Sequence, residues 1–419
     1  MKKFISLCLA AVVMLSCGIS VFADSGDYSL SEQTEYSYVE AASAAAIVNS
    51  DSFVDKTATQ TNFDLPCKAA LLMDQTTGQI LYTKNADEML PIASITKVMT
   101  MLLVFEALDS GKIKLQDTVP ISTHAYSMGG SQIWLEPGEI FTVHELLKAV
   151  AVSSANDAAV ALAEFVGGSE AVFCDMMNTR AKELGMENTN FVNACGLDAQ
   201  GHFSTAKDVA IMSNELMKHQ KVFEYTGIWM DYLRNGATQL VNTNKLLHSY
   251  TGTTGLKTGT TNGAGVCITA TATRNELSLI AVILGSPSSE ERFTAAKKLL
   301  DFGFSNFESK PFPSLENYPK TIKVRYGVQK EAAINYDLPQ NLLFLKGQAK
   351  NLESRITLPQ SIDAPMDKNT KIGSVDLYSQ GVKIKEYAVT LSDTVEKITF
   401  KKAFDIILRT AAGGTLSVN

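Results

Sequence analysis

Three short stretches carry side chains that could act together. Ser94 and Lys97 stand three apart in Pro91-Ile92-Ala93-Ser94-Ile95-Thr96-Lys97, Ser154 and Asn156 stand two apart in Ser154-Ala155-Asn156, and Lys257-Thr258-Gly259 follows further on. Residues three apart on a helix share a face, with Cβ atoms roughly 5–6 Å apart. A hydroxyl beside an amine that burial keeps neutral is a nucleophile next to its base. The Ser-x-x-Lys spacing decides nothing alone, since about one or two matches arise by accident in a chain this long. A second match, Ser204-Thr205-Ala206-Lys207, is present. There Thr205 and Asp208 read as a capping pair ahead of an amphipathic run, so it is helix punctuation. Lys-Thr-Gly is expected by chance in roughly one such chain in ten, so the ordered set of three is far more specific than its members.

Each motif needs an element to hold it. Residues 98–108 carry a single charge, Glu106, and Gly111 lies just beyond, which predicts a buried helix with Ser94 and Lys97 in its first turn. Residues 69–73 and 79–82 flank Asp74-Gln75-Thr76-Thr77-Gly78 and read as a β-hairpin. Thr142 and Glu145 form a capping box for a helix ending near Ser153-Ser154, and another helix runs from Asp157 to Gly167-Gly168. Ser154-Ala155-Asn156 therefore lies in a break between helices, where side chains can face a cleft. Helices are also predicted over 169–184 and 205–217. Lys257-Thr258-Gly259 and the runs 266–273 and 277–284 read as successive antiparallel strands, with turns at Asn262-Gly263 and Arg274-Asn275. Ser288 and Glu291 cap a helix predicted to end at Gly303. The fold class is α/β (α+β), an antiparallel sheet flanked by helices in one domain over 63–310. Lys310-Pro311-Phe312-Pro313 interrupts the chain, and alternating runs at 321–326, 342–345 and 371–378 predict a second, smaller β-rich domain over 318–400.

A chain of 419 residues with 45% hydrophobic content can bury a sizeable core. Met1-Lys2-Lys3, an apolar stretch over 4–22 and Val21-Phe22-Ala23 before Asp24 predict a secretory signal over 1–23, with lipidation at Cys17 as the competing reading. Residues 24–62, rich in Ser, Ala, Thr and acidic groups, predict a flexible spacer. Loss of the leader leaves 35 basic against 44 acidic residues, a formal charge of −9, which argues against nucleic acid as a partner. Cys67, Cys174, Cys195 and Cys267 allow three pairings, or serve as small buried apolar residues. His144-Glu145 opens a His-Glu-x-x-His pattern, but Lys148 occupies the second histidine's place, so no metal is expected. Residues 401–419 form a candidate membrane-surface tail, although the apolar positions of 401–409 make no clean stripe.

With these motifs in order, the sequence resembles the penicillin-recognising serine D,D-carboxypeptidases of peptidase family S11, the low-molecular-mass penicillin-binding proteins. The resemblance spans about residues 63–400 and includes Asn193-Ala194-Cys195-Gly196-Leu197-Asp198, Asn242-Thr243-Asn244-Lys245-Leu246-Leu247 and Arg292. It implies a β-lactamase/transpeptidase-like fold, no cofactor, and peptidoglycan stem peptides and β-lactam antibiotics as partners. Ser94 would attack the carbonyl between two terminal D-alanines, Lys97 would take its proton, and Ser154 would relay a proton to the leaving D-alanine. Asn156 would hold the substrate's peptide carbonyl, and the N–H groups of Ser94 and Thr260 would form the oxyanion hole. Lys257, Thr258, Thr260 and Arg292 would receive the terminal carboxylate or support its site, and Gly259 would leave room for an extended substrate.

Two other functions compete with this one. A class A β-lactamase shares the serine, lysine and Lys-Thr-Gly logic, but needs an aspartate where this chain has Ala155 and a deacylating Glu-x-x-Leu-Asn that is missing. A non-catalytic β-lactam sensor or wall-binding module would not need the full catalytic set. The resemblance further implies export to the cell wall space and roles in wall biogenesis and cell shape.

Overall fold

The computed structural model describes residues 64–411. The signal, the Cys17 alternative, the spacer and the end of the tail lie outside the described residues.

The hairpin forms as its turn chemistry requires, with strands β1 (Ala69–Asp74) and β2 (Ile80–Lys84) around Gly78 at φ 70°. Asp74 accepts from the backbone and hydroxyl of Thr77 and closes the turn. Helix α1 spans Lys97–Asp109 and is buried on nearly every side, as its run of apolar residues demands. Helices α2 (Val143–Val152), α3 (Asn156–Gly167), α4 (Glu170–Glu183) and α5 (Ala206–Met217) surround it. The Thr142–Glu145 capping box opens α2, and Gly168 at φ 84° closes α3. Strands β3 (Thr253–Thr261), β4 (Gly265–Arg274) and β5 (Leu277–Ser286) return as antiparallel neighbours, followed by helix α6 (Ser289–Asn306).

These strands form one five-stranded antiparallel sheet in the order β2-β1-β5-β4-β3. Side chains alternate between its faces, the period-2 rule of a strand. Ala69, Leu71 and Met73 join the core built around α1, whereas Ala70 and Leu72 join a second core with Phe293, Leu299 and Leu300 of α6. Gly303 does not end α6 as predicted. The helix continues to Asn306, and a Cβ at 303 would stand 2.4 Å from Leu279 Cδ1, so the glycine permits close packing on the sheet.

The break predicted at Lys310-Pro311 is instead partly strand. Residues Phe307–Pro311 (β6) pair antiparallel with Asn341–Leu345 (β9), so the apolar run 342–345 is spent on this join. The remaining strands, β7 (Thr321–Arg325), β8 (Glu331–Tyr336), β10 (Glu353–Thr357), β11 (Ser361–Asp363), β12 (Lys371–Ser379) and β13 (Val382–Leu391), make a six-stranded sheet ordered β10-β12-β13-β8-β7-β11. Its own small core includes Ile322, Ile334, Val375, Val389 and Leu391. Helix α7 (Phe400–Ala411) follows. It corrects the reading of the tail: the helix begins one residue earlier than the run considered, and Phe400, Phe404 and Leu408 then recur at i, i+4 and i+8. They are 88%, 52% and 51% exposed, and the two phenyl rings stack. Among the described residues, no helix is long and apolar enough to cross a membrane.

Candidate active site

Ser94 sits in a single 3-10 turn, Ala93–Thr96, that runs directly into α1. Ala93 is held at φ 48°, a left-handed conformation rare for a side-chain-bearing residue, and it turns the chain so that Ser94 heads the helix. Lys97 Nζ donates to Ser94 Oγ at 2.9 Å, to Asn156 Oδ1 at 2.6 Å and to the Cys195 carbonyl at 2.6 Å. The amine is fully buried, and desolvation pulls it down to about 8, opposed by the Cys195 thiol and the Asp157 carboxylate. A lysine lowered this way gives up its proton more readily than a solvated one, and in its neutral form can accept a serine proton.

The α2–α3 break brings Ser154 and Asn156 to the same place. Ser154 lies at φ 62°, and its Oγ accepts from Lys257 Nζ at 2.8 Å. Asn156 Nδ2 donates to the Gly129 carbonyl at 2.7 Å, which leaves its second N–H free of that bond. Strand β3 is the edge of the five-stranded sheet, so its outer backbone groups can pair with an extended peptide. Lys257 is nevertheless buried rather than a solvated edge charge. Burial, then the neighbouring charges of Lys97 and Arg292, push it well below the usual lysine range. Thr258 Oγ1 pairs with Thr243 Oγ1 at 2.5 Å. Gly259 is required by the turn that carries Ser94: a Cβ there would stand 2.9 Å from both Ser94 N and the Ile92 carbonyl. Thr260 is exposed at the end of this row.

Arg292 is also buried, not a solvated helix residue. Its Nη1 donates to the Cys267 carbonyl at 3.1 Å and the Gly259 carbonyl at 3.3 Å, and burial lowers it to about 10. All nine predicted site residues thus lie in one connected region. Ser204 is paired instead with Thr189 Oγ1 at 2.7 Å, and Thr205 caps α5 by accepting from Asp208 N, as predicted. His144 pairs with Tyr225, Glu145 caps α2 and Lys148 meets Asp231 at 2.8 Å, so the half-motif for zinc is structural. Among the described residues no cluster of three potential ligands could hold a metal, and Cys67, Cys174, Cys195 and Cys267 are unpaired.

Sequence reasoning missed the partners that set the lysine. The Cys195 carbonyl contributes through its backbone and leaves no compositional signal. Thr243 lies in the stretch Asn242-Thr243-Asn244-Lys245-Leu246-Leu247, where spacing alone gives it no role. Asp157, one carboxylate in an apolar helix start, accepts from the N–H groups of Ile133 and Leu135 and so fastens the loop beside the site.

A family model described as D-alanyl-D-alanine carboxypeptidase, peptidase S11, matches residues 55–288. The chain belongs to this family. A second model, the C-terminal domain of penicillin-binding protein 5, matches residues 307–397, starting at strand β6. The chain is 44% identical over 342 residues to D-alanyl-D-alanine carboxypeptidase DacF of Bacillus subtilis, spanning 80% of this chain and 88% of that protein. It is 36% identical to DacC of Escherichia coli, over 79% and 84% of the two chains. Penicillin-binding protein 5 of Haemophilus influenzae superposes with a TM-score of 0.70 at 30% identity, covering 80% of this chain and 99% of that one. Penicillin-binding protein D2 of Listeria monocytogenes, solved in a cefotaxime-bound form, gives 0.54 at 36% identity, covering 58% and 100%.

Proposed function

We infer that this protein is a serine-type D,D-carboxypeptidase, a hydrolase that removes the terminal D-alanine from peptidoglycan stem peptides and is acylated by β-lactams. The observation that carries the reading is Lys97 Nζ, buried and 2.9 Å from Ser94 Oγ, opposite Ser154 held by Lys257. Ser94 Oγ attacks the carbonyl between the two D-alanines as its proton passes to Lys97. The carbon–nitrogen bond breaks, Ser154 relays a proton to the departing amine, and an ester on Ser94 remains. Water cleaves that ester and Ser94 regains its proton. The N–H groups of Ser94 and Thr260 stabilise the oxyanion, and Asn156 offers its free N–H to the peptide carbonyl. Lys257, Thr258 and Thr260 receive the terminal carboxylate, while Arg292 supports the strand that carries them.

In a β-lactam the leaving amine stays tethered and blocks the side from which water enters after D-alanine departs. The adduct therefore persists. The test is to acylate purified protein, remove free drug and follow its mass, beside D-alanine release from a peptide ending in D-alanyl-D-alanine. An adduct lost as fast as peptide turns over makes the protein a β-lactamase. Persistence without D-alanine release makes it a sensor.

The leader predicted over residues 1–23 supports export to the cell wall space, with roles in peptidoglycan biosynthesis and cell shape. Helix α7, with an exposed apolar row beside Lys401 and Lys402, supports peripheral attachment to the membrane surface.

A further inference from the structure

The backbone around Ala93 and Ser94 is gripped from two sides. On one side lies the loop over residues 191–203. There Gly196, at φ 86°, approaches so closely that a Cβ would stand 1.9 Å from the Ala93 carbonyl oxygen. The loop is stiff: Asn193 Oδ1 accepts from Gly196 N at 2.6 Å and from Cys195 N and Leu197 N at 3.2 Å. It is also bonded to the nucleophile's helix, through the Cys195 carbonyl to Lys97 and the Ala194 carbonyl to Thr100 Oγ1. His202 adds a third tie. Its Nδ1 accepts from Val192 N, so the proton lies on Nε2 and is donated to Thr96 Oγ1 at 2.7 Å. On the other side lies β3, with Gly259 against Ser94 N.

Among the described residues, the hydrogen bonds that join these two jaws both end on Asp198. Thr261 Oγ1 donates to its Oδ1 at 2.6 Å and Gly263 N donates to its Oδ2 at 3.0 Å. Thr261 directly follows Thr260, whose N–H is assigned above to the oxyanion hole. Asp198 is exposed, forms no ion pair among the described residues, and belongs to a motif to which the reaction gives no role. Resting on the proposed function, we propose that Asp198 is a positioning residue for acylation: it straps the Gly196 jaw to the β3–β4 turn and so sets the separation of the Ser94 and Thr260 N–H groups. Two charge-assisted hydrogen bonds to the two oxygens of one carboxylate suit that task.

The test measures acylation by a fluorescent penicillin at saturating and limiting drug, with thermal melting alongside. Asp198→Ala is expected to slow the saturated acylation rate roughly tenfold to a hundredfold, the scale of a small misplacement of reacting groups, with a smaller change in drug affinity. Asp198→Asn keeps one acceptor oxygen and falls between. Thr261→Val should slow acylation too, and combining it with Asp198→Ala should add less than the product of the two. Arg325→Ala, which breaks a distant surface pair with Asp363, controls for general perturbation and should acylate normally. Asp198→Ala and Thr261→Val acylating at the parent rate, or slowing only in proportion to lost melting temperature, would overturn the strap. Failure of the parent protein itself to acylate would instead overturn the functional reading on which the strap rests.

Discussion

Asn156 Oδ1 accepts a 2.6 Å hydrogen bond from Lys97 Nζ, joining the start of α3 to the first residue of α1 through two buried side chains. The carboxamide is neutral, so it orients the amine without adding charge. With burial holding Lys97 at about 8, the acylation rate should climb as pH rises through that value, because the neutral amine accepts the serine proton. Asn156→Asp places a negative charge in contact with the amine, favours the ammonium and should move the limb to higher pH. Stopped-flow acylation across pH measures both profiles. An unmoved limb in Asn156→Asp would remove Lys97 as the titrating base.

Ser94→Ala should reduce penicillin labelling and D-alanine release by a factor on the order of 10³ or more, and Lys97→Ala should be comparably inactive. Ser204→Ala should label normally, since that hydroxyl is buried against Thr189. Peptide mapping of the labelled protein locates the adduct. A penicilloyl group on any peptide lacking residue 94 would sink the assignment.

Gly196→Ala should be poorly tolerated. Its Cβ would overlap the Ala93 carbonyl, and backbone cannot swing aside as a side-chain end can. A stability loss of about 1–3 kcal/mol or more is expected from such overpacking, with acylation lost at temperatures where the protein remains folded. Chemical denaturation and labelling of the same sample read the two effects. Wild-type values of both would show that the loop does not grip the nucleophile's turn.

Deletion of residues 400–419 should shift the protein from the membrane to the soluble fraction while D-alanine release from soluble peptide stays unchanged. Phe404→Asp, which puts a charge in the exposed apolar row, should shift it in the same direction. Fractionation with an immunoblot measures the distribution. No shift in either variant would end the anchor proposal.

The features legible before folding are local or self-announcing. The Thr142–Glu145 and Ser288–Glu291 caps, the turn at Gly78 and the strand turns at Asn262-Gly263 and Arg274-Asn275 lie within a few residues of their partners, so their chemistry is written in one window. The three motifs could be named because their order is improbable by chance. The surroundings of those residues come from contacts between elements far apart in the chain. Lys97 is lowered because the surrounding core buries its amine, and it is oriented by oxygens 59 and 98 residues away that accept its hydrogen bonds. Arg292, readable as a solvated helix residue, is buried because α6 packs against the sheet and delivers it beneath β4 and β3. Gly303 looked like a helix end because its reason for being glycine, the crowding of Leu279, lies on another element. The apolar run at 342–345 looked like part of a separate domain, yet it pairs with Phe307–Pro311. Burial and long-range pairing depend on which surfaces meet, and no short window of sequence records that meeting.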